Sequence, residues 1–229
     1  MKLRSSSHPS IMQLVSQTCI SAAAEQLLGS GRVMAPGSGQ LAVRFPVVDR
    51  LEKVNGELTE ASLQVVHRDY SRDHFHIDGT GKESPLPFSL LCKVALSDQT
   101  APHRGNFTIF PGSHRRPEVI DWHFSQIRKS RVHEHKRPDA GEPLQVQLAV
   151  GDAVMVHPYL CHRIGTNTSP HVRYSVIFRF RTREFLTNIS KPELLRQNPM
   201  LEFDWFAHDG GYNADDQGRE DKTKQQKIV

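Results

Sequence analysis

Seven short runs rich in β-branched and aromatic residues follow one another through the chain. They are Leu41 to Phe45, Leu63 to Arg68, Phe88 to Leu96, Asn106 to Phe110, Leu144 to Ala149, Val154 to His157 and Val172 to Phe180. Turn chemistry separates them, and helical patterns do not alternate with them. That spacing argues against a parallel βαβ sheet and predicts a mainly β, antiparallel sandwich or barrel. One helix is expected to interrupt the series at about Glu118 to Lys129, and another to follow at Pro192 to Gln197. Ahead of the strands, Ile11, Leu14, Val15, Cys19, Ala22 and Ala23 recur at helical spacing, and Leu27 and Leu28 precede Gly29 and Gly31. This predicts one amphipathic helix over about residues 10–28, ended by glycine and packed outside the barrel.

A chain of 229 residues fits one domain. The expected limits are residues 1–206, with a core at about 41–182; residues 207–229 are polar, have no core face, and are expected to be a disordered tail. Hydrophobic content of 37% against 24% charged residues is that of a soluble globular protein. The formal charge of +4 is scattered and interleaved with acids, so no nucleic-acid partner is expected; Arg115–Arg116 and Arg128–Lys129 read as solvated faces. No apolar run approaches a membrane span. Cys19, Cys92 and Cys161 lack metal-type spacing and are odd in number, which argues for a reducing compartment, the cytoplasm. The alternative is an organellar leader in the Ser-rich, basic N-terminus.

The densest chemistry lies in "HFHIDG", His74 to Gly79. His74, His76 and Asp78 make most of an H-x-H-x-D-H dinuclear zinc motif, as in metallo-β-lactamase-like hydrolases, but position 79 is Gly where that motif closes with His. The other reading takes only His76 and Asp78. Residues i and i+2 of a strand share a face, so an imidazole and a carboxylate can grip one ion there. Two histidines and one carboxylate form the facial triad of non-haem Fe(II) oxygenases, whose open positions accept 2-oxoglutarate and O2. That reading demands a distal histidine and a cation for the cosubstrate's far carboxylate. His162 and Arg173 meet it, ten residues apart, and Ser175 completes an R-x-S step. On that strand Val172, Tyr174, Val176, Phe178 and Phe180 form an apolar core face, which turns Arg173 and Ser175 into the barrel. A guanidinium fork binds a carboxylate bidentately, and a hydroxyl can take a remaining lone pair.

The order H-x-D, "GNFTIFPGSH", "GDAVMVHPYLCH" and R-x-S resembles the phytanoyl-CoA dioxygenase-like family over about residues 20–182. The resemblance implies a double-stranded β-helix (jelly-roll, cupin-like) core with flanking N-terminal and inserted helices. It implies His76, Asp78 and His162 as iron ligands, Arg173 and Ser175 as the 2-oxoglutarate anchor, and a small-molecule substrate. It also implies that Asp78, replaced by a small residue in related halogenases, favours hydroxylation. A catalytically idle metal-binding jelly-roll is the alternative. His157 competes with His162, but lacks the ten-residue gap to Arg173. His74 reads as a neighbour of the site, and His114 and Asn106 as loop-fixing residues. His133, His135 and His171 read as solvated, Trp122 and Trp205 as packing. Lys93 alternates with Cys92 and Val94 and so points either into the barrel, towards a carboxylate, or to its rim.

Overall fold

Among the described residues eleven strands build the fold, and every pairing among them is antiparallel. In chain order they are β1 (Ser5–Ser6), β2 (Val33–Met34), β3 (Gly39–Arg44), β4 (Lys53–Val54), β5 (Glu57–Leu58), β6 (Leu90–Ala95), β7 (Phe107–Ile109), β8 (Leu144–Val146), β9 (Ala153–Val156), β10 (His162–Ile164) and β11 (Arg173–Thr182). The computed structural model describes residues 5–47, 53–54, 57–59, 64, 68–72, 74–79, 86–127 and 136–203. The larger sheet runs β1-β3-β11-β6-β9, with β2 also on β11; the smaller runs β10-β7-β8; β4 and β5 pair alone. Among the described residues five α-helices flank them: α1 (Pro9–Ser16), α2 (Ile20–Leu28), α3 (Pro117–Ile127), α4 (Phe185–Ile189) and α5 (Pro192–Gln197). This is the double-stranded β-helix expected from the sequence, two antiparallel sheets with helices outside.

Strand β11 organises the larger sheet, pairing β3 on one side and β6 on the other. Its alternation sorts side chains between two layers. Val176, Phe178 and Phe180 join Leu90, Cys92 and Val94 against Val15, Ile20, Ala24 and Leu28 of the N-terminal helices. The opposite face joins the core between the sheets, where Leu91, Ala95, Phe107, Ile109 and Val156 pack with Ile177. A third cluster lies under the H-x-D segment, where Phe75, Ile77, Phe110, Trp122 and Tyr159 meet. Gly39 of β3 marks how tightly α1 is pressed on the sheet: a Cβ there would stand 2.7 Å from both Ile11 Cγ2 and Val176 Cγ1.

Several expectations need correction. The single N-terminal helix is two, because the Thr18 hydroxyl donates to the Leu14 carbonyl at 2.6 Å and accepts from the Ile20 amide at 3.3 Å. That side chain takes the carbonyl a continuing helix would use. The break restarts the helical phase, so Ala24 rather than Ala22 or Ala23 is buried and Cys19 is exposed. Tyr174, placed on the core face by parity, is 43% exposed beside Leu96 at 36%, because helix packing stops at Val94 and Val176. Strands β1, β2, β4, β5 and β10 and helix α4 were not foreseen. The Leu63 to Arg68 run lies outside the described residues except for Gln64 and for Arg68, which opens a 3-10 turn. His133, His135, Trp205 and the tail at 207–229 also lie outside the described residues.

Candidate metal centre

His76 and His162, 86 positions apart, meet through a backbone bridge. The His76 amide donates to the His162 carbonyl at 2.7 Å, and the His162 amide returns a bond of 2.9 Å to His76. Directly opposed residues of an antiparallel pair project to the same face, and the two rings stand 5.3 Å apart. Alternation within the segment does the rest. Phe75 and Ile77 are buried at 3% and 0% exposure, which turns His76 and Asp78 the other way. Asp78 lies in a turn rather than a continuing strand, and Gly79 takes φ +87° to make it. Only glycine adopts that backbone freely.

The ligand atoms of His76, Asp78 and His162 all lie within 4.8 Å of one another. Each histidine Nε2 stands 3.6 Å from a different Asp78 oxygen, an electrostatic contact too long for a hydrogen bond. The Nδ1 of His162 is 2.8 Å from the Leu160 carbonyl. A carbonyl can only accept, so Nδ1 carries the proton and Nε2 presents a lone pair to the cluster, as metal-ligating histidines do. Burial works against ionised Asp78, but the His76 ring, His162 and Arg179 together outweigh it and hold the carboxyl below its ordinary value. Burial lowers His162 from its ordinary value, against the pull of Asp78. The donor set therefore suits Fe(II): two imidazoles and one carboxylate. The His76 side chain is 57% exposed against 13% for Asp78 and 11% for His162, so the cluster opens on the His76 side.

Neighbouring residues lock the ligands in place. The buried Ser113 hydroxyl of "PGSH" accepts the Cys161 amide at 2.9 Å, immediately before His162. Arg163, one residue after it, donates to the Ser71 and His74 carbonyls at 2.9 and 2.7 Å, tethering the approach to His76. Asn106 spans the loop ahead of β7, donating to the Gln99 carbonyl at 2.8 Å and accepting from the Arg104 amide at 2.8 Å. His74 is outside the metal cluster. His157 is remote in role: Nδ1 accepts the Tyr159 amide and Nε2 reaches the Pro199 carbonyl, both at 3.0 Å, so neither nitrogen is left for a metal.

A second polar cluster lies inside the barrel. Arg173, 2% exposed, donates through Nε to the Gly105 carbonyl at 2.9 Å and through Nη1 to the Ala42 carbonyl at 3.2 Å and Ser175 Oγ at 3.4 Å. Gln99 Nε2 also reaches Ser175 Oγ at 3.4 Å, and its Oε1 accepts from Lys93 at 3.0 Å. Lys93 is fully buried, so the barrel rather than the rim holds it. Neither cation has a carboxylate partner among the described residues. Burial and then the charge of Arg173 push the Lys93 ammonium well below its ordinary range; burial and Arg44 bring Arg173 down to about 10. Phe107 stands between the two clusters, 5.2 Å from both the Lys93 ammonium and the His162 ring.

The family described as phytanoyl-CoA dioxygenase (PhyH) matches residues 15–175. The chain belongs to this family. The phytanoyl-CoA dioxygenase match takes in His76, Asp78 and His162 and ends at Ser175. A comparison with curated proteins found no match. Among solved structures the chain is similar to the non-haem α-ketoglutarate-dependent carbocyclase SnoK from nogalamycin biosynthesis, with 25% identity over 76% of this chain and 59% of that one and a TM-score of 0.48. It is similar to the epimerase SnoN of the same biosynthesis at 22%, 74%, 56% and 0.46. For EctD from S. alaskensis with bound Fe the values are 16%, 76%, 53% and 0.47. The chain thus spans between half and three-fifths of the length of these proteins.

Sequence reading missed three contributors. Arg163 and Arg179 look like ordinary solvated strand arginines until the fold brings them to His74 and Asp78. Gln99 sits in a loop of unremarkable composition. An inward position in the parity of β11 was the one available signal, and it pointed to Arg179.

Proposed function

We propose that the protein is an Fe(II)- and 2-oxoglutarate-dependent dioxygenase that oxidises a small organic substrate, consumes O2 and releases succinate and CO2. The observation that carries this reading is the pairing of a two-histidine, one-carboxylate cluster with two buried cations, Arg173 and Lys93, that have no carboxylate partner among the described residues. His76 Nε2, His162 Nε2 and the Asp78 carboxylate hold the metal. Bound iron supplies the redox chemistry that couples the oxidation of 2-oxoglutarate and of substrate to dioxygen. Arg173 and Ser175 take the cosubstrate's far carboxylate, with Lys93 and Gln99 closing the other side of that pocket. Burying a cation without a partner costs several kcal/mol, and an arriving dianion offsets that. Phe107 stands between the two clusters. The same reading takes residues 1–206 as one oxygenase domain acting in the cytoplasm. Among the described residues no helix is long and apolar enough to cross a membrane.

The test is succinate formation from 2-oxoglutarate in air by protein reconstituted with Fe(II). Succinate above the metal-free control, lost in His162→Ala, is expected. Equal succinate with and without iron contradicts the proposal.

A further inference from the structure

The inward row of β11 does not end at Ser175. Ile177, Arg179 and Arg181 continue it beyond the family match, past the metal cluster to an open mouth. Two adjoining cavities of about 490 and 580 Å³ share Gln40, Arg179 and Arg181, and the second is also lined by Asp78. Asp78 is the one acid lining either cavity among the described residues.

Arg179 is held in place rather than left to solvent. Its Nη1 donates to Gln40 Oε1 at 2.8 Å, and its guanidinium lies 5.5 Å from the Phe88 ring centre. Nη2 points at Asp78 Oδ1 from 4.0 Å, beyond hydrogen-bond range. Once Asp78 binds a divalent ion, its charge is taken up by that ion, and Arg179 faces a cationic centre with no anion of its own. Arg181 stacks 4.8 Å over Phe185 and makes one long contact, 3.4 Å, to the Pro87 carbonyl. Like charges at i and i+2 on one strand face repel, and an anion between them offsets that repulsion. One edge of the mouth is apolar, where Leu186 is 72% exposed and Ile189 partly so, beside the buried Leu86 and Phe185. Two guanidiniums beside an apolar edge are matched by a molecule with an anionic head and an apolar body.

Resting on the dioxygenase reading, we infer that this mouth is the substrate site and that the substrate is an acid. Its carboxylate or phosphate is gripped by Arg179 and Arg181, its apolar part lies along Leu186 and Ile189, and the atoms nearest the anion sit beside Asp78.

The test uses Mn(II)-loaded protein saturated with 2-oxoglutarate. Octanoate, octyl phosphate, octanol and octylammonium are titrated in turn by calorimetry and by water-proton relaxation at the metal. At least one anion is expected to bind about tenfold or more tighter than octanol, a difference of roughly 1.4 kcal/mol, and octylammonium not to bind. Arg181→Gln, which touches no metal ligand, loosens the anion by about tenfold. It leaves 2-oxoglutarate affinity within about twofold, and Arg181→Lys recovers part of the loss. Anions that bind no better than octanol, or an affinity indifferent to both Arg181→Gln and Arg179→Gln, overturn the acid-substrate assignment alone. Protein that takes up no 2-oxoglutarate overturns the dioxygenase reading and this one with it.

Discussion

Arg173 and Lys93 are the side chains whose burial packing alone explains least. Both are cations inside the barrel, and both end on neutral partners: carbonyls and Ser175 for Arg173, Gln99 for Lys93. Arg173→Ala is expected to weaken 2-oxoglutarate binding by about 100-fold, within the 2–5 kcal/mol that losing one side of a buried charge pair costs. Calorimetry should show the metal affinity unchanged. Lys93→Met keeps the volume and removes a buried charge, so the melting temperature is expected to rise while 2-oxoglutarate affinity falls. A lower melting temperature would show that Lys93 is a structural residue. At this scale the H-x-D and His162 cluster and the inward turn of Arg173 and Ser175 were legible, because the spacing of scarce donor types survives without knowledge of the fold. Arg179 was not, because its meaning depends on Asp78, which is remote in sequence and brought close only by the β11 register.

Elements explain how the ligands are held. The α1 face rests on Gly39 so closely that a Cβ would clash with Ile11 and Val176 at 2.7 Å. Gly39→Val is therefore expected to destabilise the fold by about 1–3 kcal/mol through overpacking. Urea denaturation would read the loss, with metal binding unaffected in the folded fraction. Ser113→Ala leaves the buried Cys161 amide without its acceptor. A loss of about 1–3 kcal/mol is expected, and because Cys161 precedes His162, metal affinity should fall as well. Strands β3, β6, β9 and β11 of the larger sheet were legible from their β-type runs, whereas the two-residue β1 and β2 were not. Strand β10 was not: "HRI" has no such pattern, and pairing with β7 and the bridge to His76 define it. The helix break at Thr18 escaped for a related reason, since a side chain that competes for one carbonyl leaves no mark on hydrophobic period.

The whole molecule carries an acid sensitivity of its own. The His114 and His157 rings lie 5.0 Å apart, away from the metal cluster. Burial and then Arg115 lower His114 to about 4 from an ordinary 6.5, and burial and then His114 push His157 well down, against a hydrogen bond to Pro199. The folded state thus refuses protons that the unfolded chain accepts below about pH 6.5. Stability from this pair is fully present above that pH and is lost as pH falls towards 4. Melting temperatures across that range should drop, and His114→Phe should flatten the drop; an unchanged slope would show that other groups set it. The central claim is that the triad and the Arg173 pocket together hold iron and 2-oxoglutarate. Its most direct measurement is an anaerobic titration of 2-oxoglutarate into Fe(II)-loaded protein, followed by visible absorption. A charge-transfer band that saturates in the wild type, and needs far more 2-oxoglutarate in Arg173→Ala while iron stays bound, is the predicted result. No band in the wild type, or a band indifferent to Arg173, would contradict it.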